Sequence, residues 1–341
     1  MCLYPKIIEN RRYVANKKNG GVIPAIFDIR EKYVEVPCMR CMECMRKKAN
    51  NWKVRLLEEI KDNKGIGVTL TFSTESLIEF EKLREINRRS GYDKDIKIAK
   101  IAVRRFCERW RKATGKSIRH WLVTELGSGR YEHLHLHGVL FTNEDIEVIR
   151  ERWAYGYIHK MDWMNETTIN YYVKYIHKTD EKHKEFEPIV LCSQGIGKGY
   201  IDKNKHRFKY KENESREYYK DGKGLIYNLP DYYKKKLYNE EERIKLWMEK
   251  LDKGIKYVNG IKINISKNDI HYNKVIEEER IKNIRLGYNN GYKDREKRMN
   301  ENLEREKIQK KRLERVLMIP EKDVEENEVQ NNYDIQKETI Q

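Results

Sequence analysis

The sequence predicts an α+β fold in which a central, mostly antiparallel β-sheet is flanked by helices. The first observation is a hairpin pattern in residues 121–141, where two strand-like runs flank the turn sequence Gly127-Ser128-Gly129-Arg130. The second is the pattern before the hairpin, where a strand at 67–72 lies between amphipathic helices at 46–60 and 95–113. Helices and a strand followed by a hairpin are typical of an antiparallel sheet with helices on its faces.

The composition indicates a basic protein with much polar surface. Charged residues make up 37% of the 341 residues, hydrophobic residues 38%, the mean hydropathy is −0.94 and the net charge is +17. Together with 23 Tyr and 6 Trp, this charge favours a polyanion such as nucleic acid as partner. No run approaches the roughly 20 apolar residues of a membrane span, and the N-terminus lacks the apolar core of a signal peptide. We therefore expect a cytoplasmic protein that makes no membrane contact.

Four of the six Cys residues indicate a metal site near the N-terminus: Cys2, Cys38, Cys41 and Cys44. Cys-x-x-Cys spacing lets two thiolates bind one tetrahedral Zn²⁺, and reduced thiols are expected in the cytoplasm. Three of the Cys form a single run, so the fourth ligand comes from Cys2 or from another residue. The same thiolates would suit an iron–sulfur cluster. The alternative is a redox-inert loop beside a helix.

The predicted hairpin carries candidate ligands of a second metal. Side chains alternate across a strand, so His133, His135 and His137 share one face of the second strand. Glu125 of the first strand can therefore converge with His135 and His137 on a divalent cation. Nitrogen and oxygen ligands of this kind suit Mn²⁺, Mg²⁺ or Zn²⁺ with positions left open for substrate. His133 is either a third ligand, a phosphate contact or an ordinary surface residue.

A helix predicted over residues 169–178 presents two phenols. Tyr171 and Tyr175 are four residues apart and therefore lie on one face, with Lys174 beside them. Lys178 extends that row. Taken alone, a Tyr pair on a helix is most often part of a core. The pair becomes a candidate catalytic feature because it occurs together with the predicted metal ligands.

The predicted organisation has four parts. Residues 1–50 form the Cys-rich metal segment, 51–200 the core, 201–265 a Tyr- and Lys-rich extension, and 266–341 a charged helical tail that is partly disordered. Within the tail we expect a solvated helix at 295–317. The Gly-x4-Gly-Lys-Ser/Thr phosphate loop is absent, so we expect no nucleotide cofactor.

Four motifs occur in a fixed order: Val68-Thr69-Leu70-Thr71-Phe72, Thr124-Glu125-x-Gly127, His135-Leu136-His137-Gly138 and Tyr171-x-x-Lys174. With these motifs the sequence resembles the rolling-circle replication initiators of the HUH endonuclease superfamily, in particular those of gokushovirus-type microviruses. The Cys2-x-x-Pro and Pro37-Cys38-x-x-Cys41-x-x-Cys44 segments are similar as well. The resemblance covers the larger N-terminal part of the chain and thins out in the tail; ordered motifs are specific where single ones are not.

The resemblance implies an HUH nuclease core, RRM-like in fold, within residues 51–200. It implies that Glu125, His135 and His137 hold a catalytic Mg²⁺ or Mn²⁺. Tyr171 and Tyr175 would be the nucleophiles, with Lys174 offsetting the charge that develops during attack. Tyr172 also precedes Lys174 and could replace one of them, although its side chain points about 100° away around the helix.

The implied reaction is site-specific nicking and rejoining of single-stranded DNA through a 5′-phosphotyrosine that leaves a 3′-OH primer. The implied partners are a single-stranded DNA origin and a host DNA polymerase and helicase in the bacterial cytoplasm. Two other classes fit the same residues. One is a non-catalytic single-stranded nucleic-acid-binding protein with a zinc knuckle, and the other is a metallohydrolase that uses water as its nucleophile.

Overall fold

A computed structural model describes residues 1–178, 180–266, 269–292 and 294–318. The predicted disordered end of the tail, residues 319–341, lies outside the described residues. The strands are β1 (Lys6–Glu9), β2 (Tyr33–Val36), β3 (Ile66–Thr71), β4 (Arg119–Leu126), β5 (Leu134–Phe141), β6 (Ile158–Trp163), β7 (Val190–Cys192), β8 (Tyr218–Lys220), β9 (Ile226–Asn228), β10 (Ile255–Val258) and β11 (Ile261–Asn264). The helices are α1 (Met42–Asp62), α2 (Thr74–Glu81), α3 (Arg84–Asn87), α4 (Gly91–Thr114), α5 (Ile146–Trp153), α6 (Glu166–His177), α7 (Gly199–Asn204), α8 (Asp231–Leu237), α9 (Glu240–Lys253), α10 (Asp269–Arg285) and α11 (Arg295–Met318). None of these helices is long and apolar enough to cross a membrane.

The core is a five-stranded sheet in the order β6-β3-β5-β4-β7, and each pair of neighbours is antiparallel. The central strands β3 and β5 are buried along their whole length. Their sequences, IGVTLT and LHLHGVLF, are rich in apolar and β-branched side chains that suit a strand covered on both faces. The predicted α+β fold with an antiparallel sheet flanked by helices is confirmed.

Alternation divides the side chains of β4 and β5 between two apolar layers. Leu122 and Leu136 pack with Phe106 of α4 in the larger layer. Trp121 and Val139 pack with residues of α1 and α6 in the second layer. Odd-numbered residues of both strands therefore face α1 and α6, and the three predicted cation ligands are among them.

A glycine allows β4 and β5 to approach closely beside these ligands. A Cβ atom at Gly138 would lie 2.0 Å from the carbonyl oxygen of Trp121. No other residue can occupy this position without moving the strand. The pairing that results sets Glu125 directly opposite His135.

The helices after β3 differ from the prediction at their ends. Ser73 caps α2, and the helical turns expected as one helix to Ile86 are divided between α2 and α3. The next helix, α4, begins at Gly91, four residues before the predicted Asp95. The reason is a tertiary contact, because the side chain of Asn302 in α11 accepts a hydrogen bond from the backbone N–H of Tyr92 at 3.0 Å. This contact satisfies a free donor at the start of α4.

The prediction of a solvated helix at 295–317 is wrong for one face of α11. Arg305 is 1% exposed and donates hydrogen bonds to Asp95 of α4 at 2.7 and 3.1 Å. It also donates to Glu132, in the turn between β4 and β5, at 3.1 Å. Because these partners are far away in sequence, the mixed charges of α11 looked like those of an exposed helix.

The Cys-rich segment shares a small core with the C-terminal part of the chain. Leu3, Cys41 and Cys44 are buried together with Val258 of β10 and Val275 of α10. α1 begins within this region at Met42 and continues to Asp62, where it packs against the central sheet and α6. The N-terminal segment and the sheet are therefore connected by a single continuous helix.

Candidate functional site

Glu125, His135 and His137 come together on the α6 side of the sheet. Each offers one ligand atom, and the three ligand atoms lie within 4.8 Å of one another. Nε2 of His137 lies 2.6 Å from Oε2 of Glu125. It is buried and has no hydrogen-bond partner of suitable geometry among the described residues. Two imidazoles and one carboxylate in this arrangement fit a divalent cation that keeps further coordination positions open.

A hydroxyl from β3 orients one of these imidazoles. Oγ1 of Thr69 lies 3.1 Å from Nδ1 of His137, and the two residues are paired across β3 and β5. Engagement of Nδ1 leaves Nε2 directed toward Glu125 and a cation. The sequence contained this signal in its Thr-x-Thr strand, but we assigned no role to Thr69.

The electrostatics keep the ligands in forms that can bind a metal at neutral pH. Burial would raise the pKa of Glu125, but its close contacts with His137 and Lys178 outweigh burial and lower the pKa to about 2. Burial, assisted by the nearby His137, lowers the pKa of His135 to about 4. Glu125 is therefore ionised and His135 is neutral at pH 7.

The two predicted phenols of α6 lie next to the cation ligands. A capping box at Asn165 starts the helix, and the helix presents Tyr175 so that its ring stacks on His137 at 3.9 Å with an interplanar angle of 6°. The hydroxyl oxygens of Tyr171 and Tyr175 are 2.7 Å apart. Burial, together with the hydrogen bond from Tyr171, raises the pKa of Tyr175 well above its usual value.

Two lysines of α6 accompany the phenols. Nζ of Lys174 lies 4.0 Å from the ring centroid of Tyr171. Nζ of Lys178 lies 5.6 Å from the ring centroid of Tyr175 and 2.7 Å from Oε1 of Glu125. Lys178 is thus the lysine that reaches the cation ligands, and we did not include it among the predicted site residues. The spacing Tyr175-x-x-Lys178 repeats that of Tyr171-x-x-Lys174 and could have identified it.

The structure does not bring Tyr172 or His133 to this cluster. Tyr172 is fully buried, and its hydroxyl has no hydrogen-bond partner among the described residues. Nε2 of His133 lies 3.1 Å from Oγ1 of Thr74, and burial lowers the pKa of His133 to about 3. Both residues therefore have contacts of their own, away from the ligand atoms of the cation site.

Cys2, Cys38, Cys41 and Cys44 form a second cluster, and their four sulfur atoms lie within 4.8 Å of one another. Individual separations are 4.0 Å between Cys2 and Cys41 and 3.9 Å between Cys38 and Cys44. Four thiolates at such distances could bind Zn²⁺ in tetrahedral geometry. The cluster includes Cys2, which the sequence left as one of two possible sources of the fourth ligand.

One cleft of about 1230 Å³ connects the two regions. It is lined by the three cation ligands, by the phenols and lysines of α6, and by residues of the Cys-rich segment. A long substrate could therefore contact the cation ligands and the Cys-rich segment at the same time.

Residues 66–180 match the family model of the replication-associated protein ORF2. The matched region runs from β3 to just beyond α6, so it contains the cation ligands and both phenols. No curated protein sequence and no solved structure matches the chain. The match confirms the resemblance to viral replication initiators at the level of the family, and it indicates DNA replication as the process and DNA as the partner. It carries no information on the microvirus type.

Proposed function

We propose that the protein initiates rolling-circle replication by nicking a single-stranded DNA origin with a tyrosine of α6. One observation carries the proposal: Tyr175 stacks on His137 and shares a hydrogen bond with Tyr171. Two potential nucleophiles are thereby next to a group of residues suited to binding a divalent cation. Such proximity converts a bimolecular attack into one within the bound complex.

The chemistry at this site is transesterification. Bound by Glu125, His135 and His137, Mg²⁺ or Mn²⁺ would supply Lewis-acid polarisation of a phosphate oxygen. The phenolic oxygen of Tyr171 or Tyr175 forms a bond to phosphorus, and the bond from phosphorus to the 3′ oxygen breaks. The phenol loses one proton and the 3′ oxygen gains one, so the products are a 5′-phosphotyrosine and a free 3′-OH. The phosphotyrosine conserves the bond energy, and rejoining therefore requires no ATP.

Two phenols support a complete replication cycle. Tyr171 would hold the first 5′ end while Tyr175 cuts the regenerated origin, and the released 3′-OH would then close the circle. Because the two hydroxyl oxygens are 2.7 Å apart, both can reach the same phosphate. Lys174 and Lys178 would offset the negative charge at Tyr171 and Tyr175, respectively, since each lies beside one ring.

We further propose how the rest of the chain contributes. Residues 51–200 would be the endonuclease core, and the four Cys would hold a structural Zn²⁺. Residues 201–265 would extend the core, and 266–341 would form the tail. Within a bacterial host cell, the host DNA polymerase and helicase would use the 3′-OH and unwind the duplex.

The test uses the full chain and tiled single-stranded oligonucleotides from the genome that encodes it. With Mn²⁺ or Mg²⁺, a 3′-end label should transfer to a protein band that survives boiling in detergent. A 5′-end label should appear on a shorter free fragment that a polymerase can extend. His137→Ala and the double variant Tyr171→Phe/Tyr175→Phe should abolish the labelled protein band, and Tyr172→Phe should retain it.

Two outcomes would contradict the proposal. Cleavage without a covalent adduct would favour a metallohydrolase with a water nucleophile. Binding without cleavage, for every oligonucleotide and both metals, would favour the non-catalytic nucleic-acid-binding protein.

A further inference from the structure

The cleft is larger than the nicking chemistry alone requires. Its volume of about 1230 Å³ exceeds the about 300–1,000 Å³ that is typical of small-molecule pockets. Beyond the cation ligands and phenols it is lined by Met45, Lys48 and Trp52 of α1 and by Met39, which lies between two of the clustered Cys residues. The size of the cleft suits a segment of a polymer.

Lys48 lines this cleft without forming an ion pair to any carboxylate among the described residues. Its Nζ lies 3.5 Å from the carbonyl oxygen of Pro188. Burial lowers its pKa, and the attraction of Glu187 opposes that shift, although Glu187 is itself paired with Arg40 at 3.3 Å. A largely buried ammonium group without a carboxylate partner is costly, so an anion that enters the cleft would gain a favourable contact there.

The neighbouring residue, Lys47, provides a contrast. Its side chain is 58% exposed and pairs with Asp231 of α8 at 3.1 Å. It does not line the cleft. The two lysines share one helix and one chemistry but differ in their surroundings, and Lys47 is therefore a matched control for Lys48.

Two further lysines of the cleft, Lys174 of α6 and Lys184 of the loop after α6, form no ion pair within the part of the chain that the structure describes. Most carboxylates of the cleft have partners of their own: Glu125 with Lys178, Glu187 with Arg40, and Asp180 with two backbone N–H groups. The exposed Glu181 is the exception. Ammonium groups from three separate elements thus line one cleft, as the repeated phosphates of a nucleic-acid strand require.

We propose that a wall made of Met39, Met45, Lys48 and Trp52 binds single-stranded DNA on one flank of the scissile phosphate. Lys48 contacts a backbone phosphate, and the apolar side chains contact bases without reading their identity. Met39 is 56% exposed, and the flanking Cys residues hold it at the wall. This inference rests on the proposed nicking reaction, because that reaction defines the scissile phosphate.

The test measures DNA binding separately from cleavage. The full-length Tyr171→Phe/Tyr175→Phe protein, with no divalent cation added, is titrated with a fluorescent oligonucleotide at several salt concentrations. Lys48→Gln should weaken binding severalfold and reduce the slope of log affinity against log salt by about 0.7, the value for one single-strand phosphate contact. Lys47→Gln should leave the slope unchanged, and Lys48→Arg should restore it. Thermal unfolding of each variant shows whether the fold is retained.

A second arm locates the contact. Once the nick position has been mapped, oligonucleotides shortened from the 5′ or the 3′ side are compared, and the effect of Lys48→Gln should disappear for only one of the two series. An unchanged salt slope in Lys48→Gln, an equal loss in Lys47→Gln, or a defect that persists in both series would overturn the inference. A normal covalent adduct together with any of these results rejects the wall alone. A Lys48 effect without any adduct rejects the nicking reaction instead.

Discussion

Glu132 provides a quantitative test of how the C-terminal helix is attached to the sheet. Its carboxylate is fully buried in the turn between β4 and β5. It accepts a hydrogen bond from Arg305 of α11 at 3.1 Å, pairs with Lys182, and lies 3.1 Å from Nε2 of His183. Glu132→Gln removes the negative charge and keeps the shape of the side chain.

The expected magnitude follows from the proton affinity of this carboxyl. Burial would raise the pKa of Glu132, but contacts with His183, Lys182 and Arg305 lower it from 4.5 to about 2. Since a tenfold change in proton affinity equals about 1.4 kcal/mol, the charged form stabilises the fold by about 3 kcal/mol at pH 7. Because the folded pKa is the lower one, this stability is present above pH 4.5 and is lost as the pH falls toward 2. At pH 3 about 1 kcal/mol remains.

The assay is urea unfolding of the wild-type and Glu132→Gln proteins at pH 7 and pH 3. We expect the free energy of unfolding to differ by about 3 kcal/mol at pH 7 and by about 1 kcal/mol at pH 3. Glu304→Gln is a control in the same helix, because Glu304 is 68% exposed and pairs only with Lys307 among the described residues; its effect should be near zero. Equal losses at both pH values, or no loss at pH 7, would refute the reasoning.

Three further predictions concern the two metal sites and the phenols. Tyr172→Phe should leave adduct formation intact and should not lower the free energy of unfolding, because it removes a buried hydroxyl without a hydrogen-bond partner; loss of the adduct would instead make Tyr172 a nucleophile. Thr69→Val should weaken Mn²⁺ binding, measured by calorimetry, by about 10-fold or more, whereas His133→Ala should not, and equal effects would argue against the orienting contact to His137. Cys41→Ser should remove Zn or Fe from the purified protein in elemental analysis, and an unchanged metal content would reject the Cys cluster as a metal site.

The parts of the site that depend on local geometry could be predicted from the sequence. Two-residue alternation and a Gly-rich turn are sufficient to place Glu125 opposite the His-x-His strand, and four-residue spacing is sufficient to pair Tyr171 with Tyr175. The position of α6 over β5, seen in the stacking of Tyr175 on His137, needed the resemblance to suggest it, because it depends on how separate elements pack.

Features that depend on distant partners could not be predicted. The contact of Lys178 with Glu125 spans 53 positions, and the pairing of Arg305 with Asp95 spans 210. No periodicity within α6 or α11 encodes these partners. The buried face of α11 was missed for this reason, and so was the early start of α4, which Asn302 of α11 stabilises.

The most direct test of the central claim is mass spectrometry of the DNA-linked protein after digestion with nuclease and trypsin. Trypsin cuts after Lys160, Lys174 and Lys178, so Tyr171 and Tyr175 fall in separate peptides, 161–174 and 175–178. We predict a nucleotide-phosphate mass on Tyr171 or Tyr175, or on each in part of the molecules, and none in the His137→Ala variant. A linkage to any residue outside α6, or cleaved DNA with no modified peptide, would contradict the account.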